Sequence, residues 1–390
     1  GRSRMIRIPH QVLAIRCSAG ELFCATCKSD DNGSHEERRV IVNDPHNDDL
    51  NRNSRPANIA LCVPFNGDID CVRAIIGSCS PIVHEFYGTD ERFPSGRRAQ
   101  WKPISSPEFA EMLSIVREYG IGFNYLLNST SPESYITDLP AVFRHLEYLA
   151  NLGVTTVTCS VPHLAPQIAD LGFEVSSSVL QRITTTAEID HLERLNYSRI
   201  IVAEELTRMA PRLRNLRRGT SLPLEVLVNS TCLFGCPFRM THCGVDSSTH
   251  PLLTLDVRAE VKESLGICKV YWSTHLVDFV KGSWVRPEDL PALSRLGVSL
   301  FKIAGRDKDS QSVVQVVETY ASLSSKRIFE FLKPDAHPET DFGVPDFRSH
   351  EFDEFFKFFF GSRKGCDGMC HVCRHCDKWA SAFQEAYANK

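Results

Sequence analysis

The chain predicts a (β/α)8 TIM-like barrel with a small N-terminal appendage and a C-terminal cysteine-rich tail. Eight short apolar runs recur through its middle, and segments with helical periodicity and helix-capping residues separate them. The rival, a doubly wound open sheet, lacks its usual mark: no glycine-rich phosphate loop follows any early strand.

Residues 1–57 read as the appendage. Two strand-like pieces, VLAIRCSA and RVIVND, suggest a hairpin that carries Cys17, Cys24 and Cys27 and gives way to a polar linker. The barrel is expected over 58–325, with strands at 59–66, 81–88, 121–128, 154–161, 173–180, 198–205, 224–231 and 298–305. Helices are expected at 106–120, 139–153, 185–196 and 286–297. Several open on Ser, Thr or Pro ahead of a carboxylate and close on Gly or Asn, as helix ends require. The connection from Thr231 to Val298 is too long for one crossover. It reads as an insertion at the C-terminal end of strand seven, the rim where barrel enzymes place their chemistry. A closing helix follows at 311–324. Residues 326–390 form the tail, in which Phe352, Phe355, Phe356, Phe358, Phe359 and Phe360 are expected to dock the cysteines onto the barrel.

A net charge of −4 gives no electrostatic footing for a nucleic-acid partner. No apolar run approaches the roughly 20 residues of a membrane-spanning helix. Fifteen cysteines, clustered at ligand spacings in a chain showing no export signal, point to a cytoplasmic, reducing compartment. Cys62, Cys71, Cys79, Cys159 and Cys268 sit in apolar surroundings and read as core residues.

Four thiols within eleven positions, Cys366, Cys370, Cys373 and Cys376 in GCDGMCHVCRHC, can converge on one metal centre. Cys232 and Cys236 come off strand seven in NSTCLFGCPFRMTHC. Soft thiolates at such spacings select an iron–sulfur cluster or zinc. The run is too compact for a zinc ribbon. The expectation is therefore a 4Fe–4S cluster shared by Cys232, Cys236 and thiols of the tail across the barrel mouth. Spare thiols, Cys243 and the N-terminal trio among them, leave room for a second cluster, and zinc is the alternative. Cys366, Cys370 and Cys373 also match the CxxxCxxC spacing of radical S-adenosylmethionine enzymes, but that motif follows the first strand there and the last strand here.

Around such a site, Asn229 and Arg239 flank the paired thiols, and Arg239 can hold a substrate carboxylate. Lys302 and Arg306 on strand eight offer further positive charge, which together suggests an anionic or phosphate-bearing small molecule. The structural alternative pairs Lys302 or Arg306 with Glu204 or Glu205 inside the barrel. His242 and His275 are acid–base candidates, with Glu85 a further one. No HExxH or GxSxG motif speaks for hydrolysis.

Three stretches, SRIIVAEELTRM, LEVLVNSTC and GVSLFKIAGRDKDSQSVVQVVETY, resemble segments of the collagenase-like peptidase family U32, and EFYGTDERFPSGR and FNYLLNST also fit. The likeness spans residues 58–322. It implies a barrel and, through members that carry a 4Fe–4S cluster, oxygen-independent hydroxylation of the kind used in ubiquinone synthesis and RNA base modification. An electron donor or oxygen-atom donor would then be a partner. The family commonly has Glu where this chain has Ala304, so no carboxylate role carries over there. The resulting expectation is an iron–sulfur oxidoreductase acting on an anionic small molecule. The alternatives are a non-catalytic cluster-bearing subunit of a related enzyme, a peptidase or other hydrolase, and a zinc-stabilised binding protein.

Overall fold

A computed structural model describes residues 59–90, 92–96, 101–131, 133–247, 271, 274–332, 345–361 and 365–388. The chain divides into two units, Gly1–Pro56 and Ala57–Lys390. The appendage, with its three cysteines, lies outside the described residues.

Eight parallel strands form the second unit's centre: β1 (Ala60–Pro64), β2 (Val83–Gly88), β3 (Gly122–Leu127), β4 (Thr156–Cys159), β5 (Glu174–Ser176), β6 (Ile200–Ile201), β7 (Leu224–Leu227) and β8 (Val298–Lys302). They run in chain order around a ring, with β1 paired to both β2 and β8. The seam between β5 and β6 is closed by isolated parallel bridges, Ser176 to Arg199 and Ile183 to Val202. There the Ser177 hydroxyl replaces part of the ladder, accepting from the Ile201 amide at 2.7 Å. This is the expected (β/α)8 barrel, and each strand falls within its predicted run.

The helices begin where the sequence places capping residues. Ser105 and Glu108 form a reciprocal capping box on the helix Ser106–Glu118, and Thr185 and Glu188 do the same on Thr186–Glu193. Both boxes satisfy amide donors that the first helical turn leaves unpaired. Left-handed residues follow helix ends at Gly153 (φ 89°) and Gly297 (φ 90°), a conformation glycine adopts at little cost.

Beyond the barrel, the helix Asp353–Phe360 buries Phe355, Phe356 and Phe359, and Phe352 just ahead of it is fully buried. These rings surround Trp284, whose ring centre lies 5.2 Å from that of Phe352 and 5.4 Å from that of Phe356. The indole N–H donates to the Phe279 carbonyl at 3.0 Å, so the buried polar atom is satisfied. On the helix's other side, Phe358 stacks on His375 at 4.1 Å and Phe352 on Trp379 at 4.4 Å. The phenylalanine run thus joins the barrel to the cysteine segment, as its composition suggests. Among the described residues no helix is long and apolar enough to cross a membrane.

Trp284→Ala is expected to cost about 3–5 kcal/mol, the usual range for deleting a fully buried aromatic ring. Denaturant unfolding followed by far-UV circular dichroism measures it, and a midpoint equal to wild type contradicts the packing role.

Candidate functional site

Charge inside the barrel is concentrated in one buried layer. Arg199, at the β6 seam, reaches across the ring: its Nη1 donates to Glu85 Oε1 on β2 at 2.6 Å and lies 3.4 Å from Glu225 Oε2 on β7. Lys302 Nζ sits 3.3 Å from Glu225 Oε1 and 3.8 Å from the centre of the Tyr87 ring. Asn124 Nδ2 donates to Glu85 at 3.0 Å, and Thr158 Oγ1 donates to Asn124 Oδ1 at 2.8 Å. Burial alone would push the Glu85 carboxyl up. Arg199 and Lys302, with the Asn124 hydrogen bond, outweigh it and hold Glu85 below the usual carboxylate range.

Cys62, Glu85 and Glu225 place ligand atoms within 4.8 Å of one another. Two cations already neutralise those two carboxylates, and burial and both carboxylates drive the Cys62 thiol up. The trio therefore works as an ion network and needs no metal. Lys302 pairs here with Glu225, not with Glu204 or Glu205, because β7 and β8 are adjacent and bring Leu227 level with Lys302. Glu204 lies higher, in the 3-10 turn Glu204–Arg208 that follows β6.

At the C-terminal rim the sequence-selected groups take several positions. Asn229 uses both ends of its amide on strand eight: Nδ2 donates to the Ala304 carbonyl at 3.0 Å, and Oδ1 accepts from the Ala304 amide at 2.7 Å. That makes it a clamp between the ends of β7 and β8. Arg239 is buried against Glu204, which also accepts from the Ser230 hydroxyl at 2.7 Å. Arg306 donates from Nη2 to Ser95 Oγ at 3.0 Å. His242 is half-buried on the helix Arg239–Ser247, whereas His275 is exposed beside Thr274. Cys232 and Cys236 are half-buried in the loop after β7. The Cys232 amide donates to Ser230 Oγ at 3.4 Å. Its side lines a small cavity with Pro64, Asn229, Gly305, Lys308 and Ser312 at the ends of β7 and β8.

The cysteine tail packs against the residues that follow the same 3-10 turn. Gly368 packs over Met209, and Gly365 over Pro211, at the start of the helix Ala210–Gly219. Both glycines have positive φ, 85° and 53°. They let the backbone between Cys366 and Cys370 turn tightly against that helix. Burial pushes the thiols of Cys366 and Cys370 up and that of Cys376 to about 11, while Arg208 pulls all three down. Lys281, 3.3 Å from Asp377, acts in the same sense on Cys370 and Cys376.

Four soft sulfur donors within eleven positions are the donor chemistry that metal centres use. Among the described residues no three of the tail thiols lie mutually within 4.8 Å. A single tetrahedral zinc, with bonds of about 2.3 Å, needs sulfurs about 3.8 Å apart. The turn Glu204–Arg208 has one cysteine pair by its Glu204 end and the tail set by its Arg208 end. Sequence reading missed Arg199, Glu225 and Arg208. A lone charge inside the apolar run LEVLV was the available signal for Glu225; Arg208 had none.

Fold and rim together define an eight-stranded parallel barrel whose C-terminal side carries a thiol-rich candidate metal centre. The chain resembles peptidase family U32, whose model matches residues 80–235. A curated protein of Methanocaldococcus jannaschii, named an uncharacterized protease, is 23% identical over 314 residues, covering 76% of this chain and 86% of its own length. A solved structure of a U32 peptidase aligns with a TM-score of 0.44 at 17% identity, over 63% of this chain and 93% of that one.

Glu85→Gln leaves Arg199 short of its nearer carboxylate and is expected to cost about 3 kcal/mol at neutral pH. The depressed pKa of Glu85 contributes stability that is full above the unfolded value, about 4.3, and is lost as pH falls through the folded value. Wild type should therefore lose stability below about pH 4.3 more steeply than the variant. Parallel acid titrations of the two unfolding midpoints would refute this.

Proposed function

We propose that the chain is an enzyme of the U32 peptidase type that reacts at the C-terminal mouth of its barrel, with a thiolate metal centre in its tail. The protease names of its relatives support peptide-bond hydrolysis better than they support redox chemistry. In that reading Cys232, lining the cavity at the ends of β7 and β8, is the thiol placed to act as nucleophile. Asn229 would hold the two strand ends in register beneath it.

One observation favours a second reading, a redox enzyme acting on an anionic small molecule. Arg208 is buried, its Nη1 has no hydrogen-bond partner among the described residues, and Cys376, Cys366 and Cys370 act on it electrostatically. A buried guanidinium calls for an anionic partner, and neutral thiols are a poor one. Metal-bound thiolates are a good one. Cys366, Cys370, Cys373 and Cys376 would hold a 4Fe–4S cluster, which when bound supplies electron transfer or an open iron for an oxygen-bearing group. Cys232 and Cys236 are the candidate ligands on the other side of the turn. Zinc remains the alternative metal. In both readings Arg239 is committed to Glu204, so an anionic substrate would draw on other rim cations such as Lys308.

Anaerobic purification with iron, sulfide and zinc quantified, followed by a peptide-hydrolysis assay before and after chelation, separates the two. Hydrolysis that survives chelation and the Cys376→Ser change but is lost in Cys232→Ser supports the peptidase. Iron and sulfide near four per chain, lost in Cys376→Ser and accompanied by no hydrolysis, supports the redox enzyme. Metal-free protein without hydrolysis refutes both.

A further inference from the structure

We infer that Arg208, seconded by Lys281, is the cationic wall of the tail's metal centre, placed to donate to its sulfurs and to set how readily it accepts an electron. The inference rests on the tail being a cluster site, as proposed above.

Arg208 is only 5% exposed. One of its terminal nitrogens, Nη2, donates to the Val280 carbonyl at 3.0 Å. The other, Nη1, is buried with no hydrogen-bond partner among the described residues. Leaving such a donor unsatisfied is costly, and more so when the group is charged. Aromatic rings lie close around it, with the centres of Phe359 at 4.8 Å, Phe355 at 5.7 Å and Trp284 at 5.8 Å from the guanidinium carbon. These faces favour a cation but accept no in-plane hydrogen bond. Its chain neighbour Met209 lies against Gly368 of the cysteine tail, and Cys376, Cys366 and Cys370 are among the groups that act on Arg208 electrostatically. The orphaned donor thus belongs to a residue covered by aromatic rings, one of which also stacks on the residue before Cys376.

The Phe-rich helix supplies both parts of this arrangement. Phe355 and Phe359 cover the guanidinium, and the same Phe355 stacks on His375, the residue before Cys376, at 5.1 Å. Lys281 approaches from the helix Leu276–Lys281, half-buried and paired to Asp377 at 3.3 Å. Hydrogen bonds to cluster sulfurs and nearby positive charge both stabilise the reduced, more negative state. A purely structural arginine would serve the aromatic box equally well with no metal nearby.

The test uses the full chain, reconstituted anaerobically with iron and sulfide, and a mediated redox titration. Arg208→Met should keep iron but lower the reduction equilibrium at least tenfold, about 59 mV for one electron. Arg208→Lys should stay within about threefold of wild type, and Lys281→Met should shift in the same direction by less. An unchanged potential in Arg208→Met overturns the inference, as does an equal shift in Arg208→Lys, which would mark packing in place of charge. If Arg208→Met loses its cluster, Lys281→Met decides: a lowered potential supports the cationic wall, and an unmoved one overturns it. Wild type that binds no iron defeats the underlying cluster reading instead, before any variant is made.

Discussion

Arg199 does two things on which the barrel depends. Its backbone bridges to Ser176 and closes the seam between β5 and β6, where its carbonyl accepts from the Ser177 amide at 3.0 Å. Its side chain crosses the interior to Glu85 on β2, which is opposite in the ring, and to Glu225 on β7. Short parallel strands give a weak seam, particularly beside a β6 of two residues. A buried cation tied to two walls fixes how far apart those walls stand. Hydrophobic packing between strands and helices supplies most of the driving force, but it is non-directional. The ion network adds geometry.

Above that layer, one turn of 3-10 helix organises the rim. Glu204 at its start binds Arg239 and Ser230, and so anchors the loop bearing Cys232 and Cys236. Thr207 Oγ1 donates to the Leu227 carbonyl at 3.1 Å, fastening the turn to β7. Arg208 at its end lies over Phe355 and Phe359 of the phenylalanine helix. The loop after β7 is thus tied to one end of this five-residue segment, and the cysteine tail packs against Met209 and Pro211 just beyond its other end.

The alternation of strands and helices was legible because each strand is a run of apolar residues and each helix carries its own capping signals. Ser105 with Glu108 and Thr185 with Glu188 mark their helix starts from local sequence alone. Ligand spacing exposed the tail thiols for the same reason: four cysteines in eleven positions need no tertiary information. Electrostatic pairing was not legible. Lys302 and Glu225 are 77 positions apart, and Arg199 and Glu85 are separated by 114. Nothing local tells a strand-end cation that binds substrate from one neutralised across a barrel. Asn229 illustrates the point, since a polar residue beside ligand-like cysteines spends its amide on the backbone of Ala304.

The order of parts along the chain bears on biogenesis. Arg208 and its turn are synthesised well before Cys366–Cys376, and domains generally fold from the N-terminal side as they emerge from the ribosome. Until the phenylalanine helix arrives, the guanidinium can remain hydrated at the rim. Its desolvation and the gathering of the thiols then come together as a late step of folding.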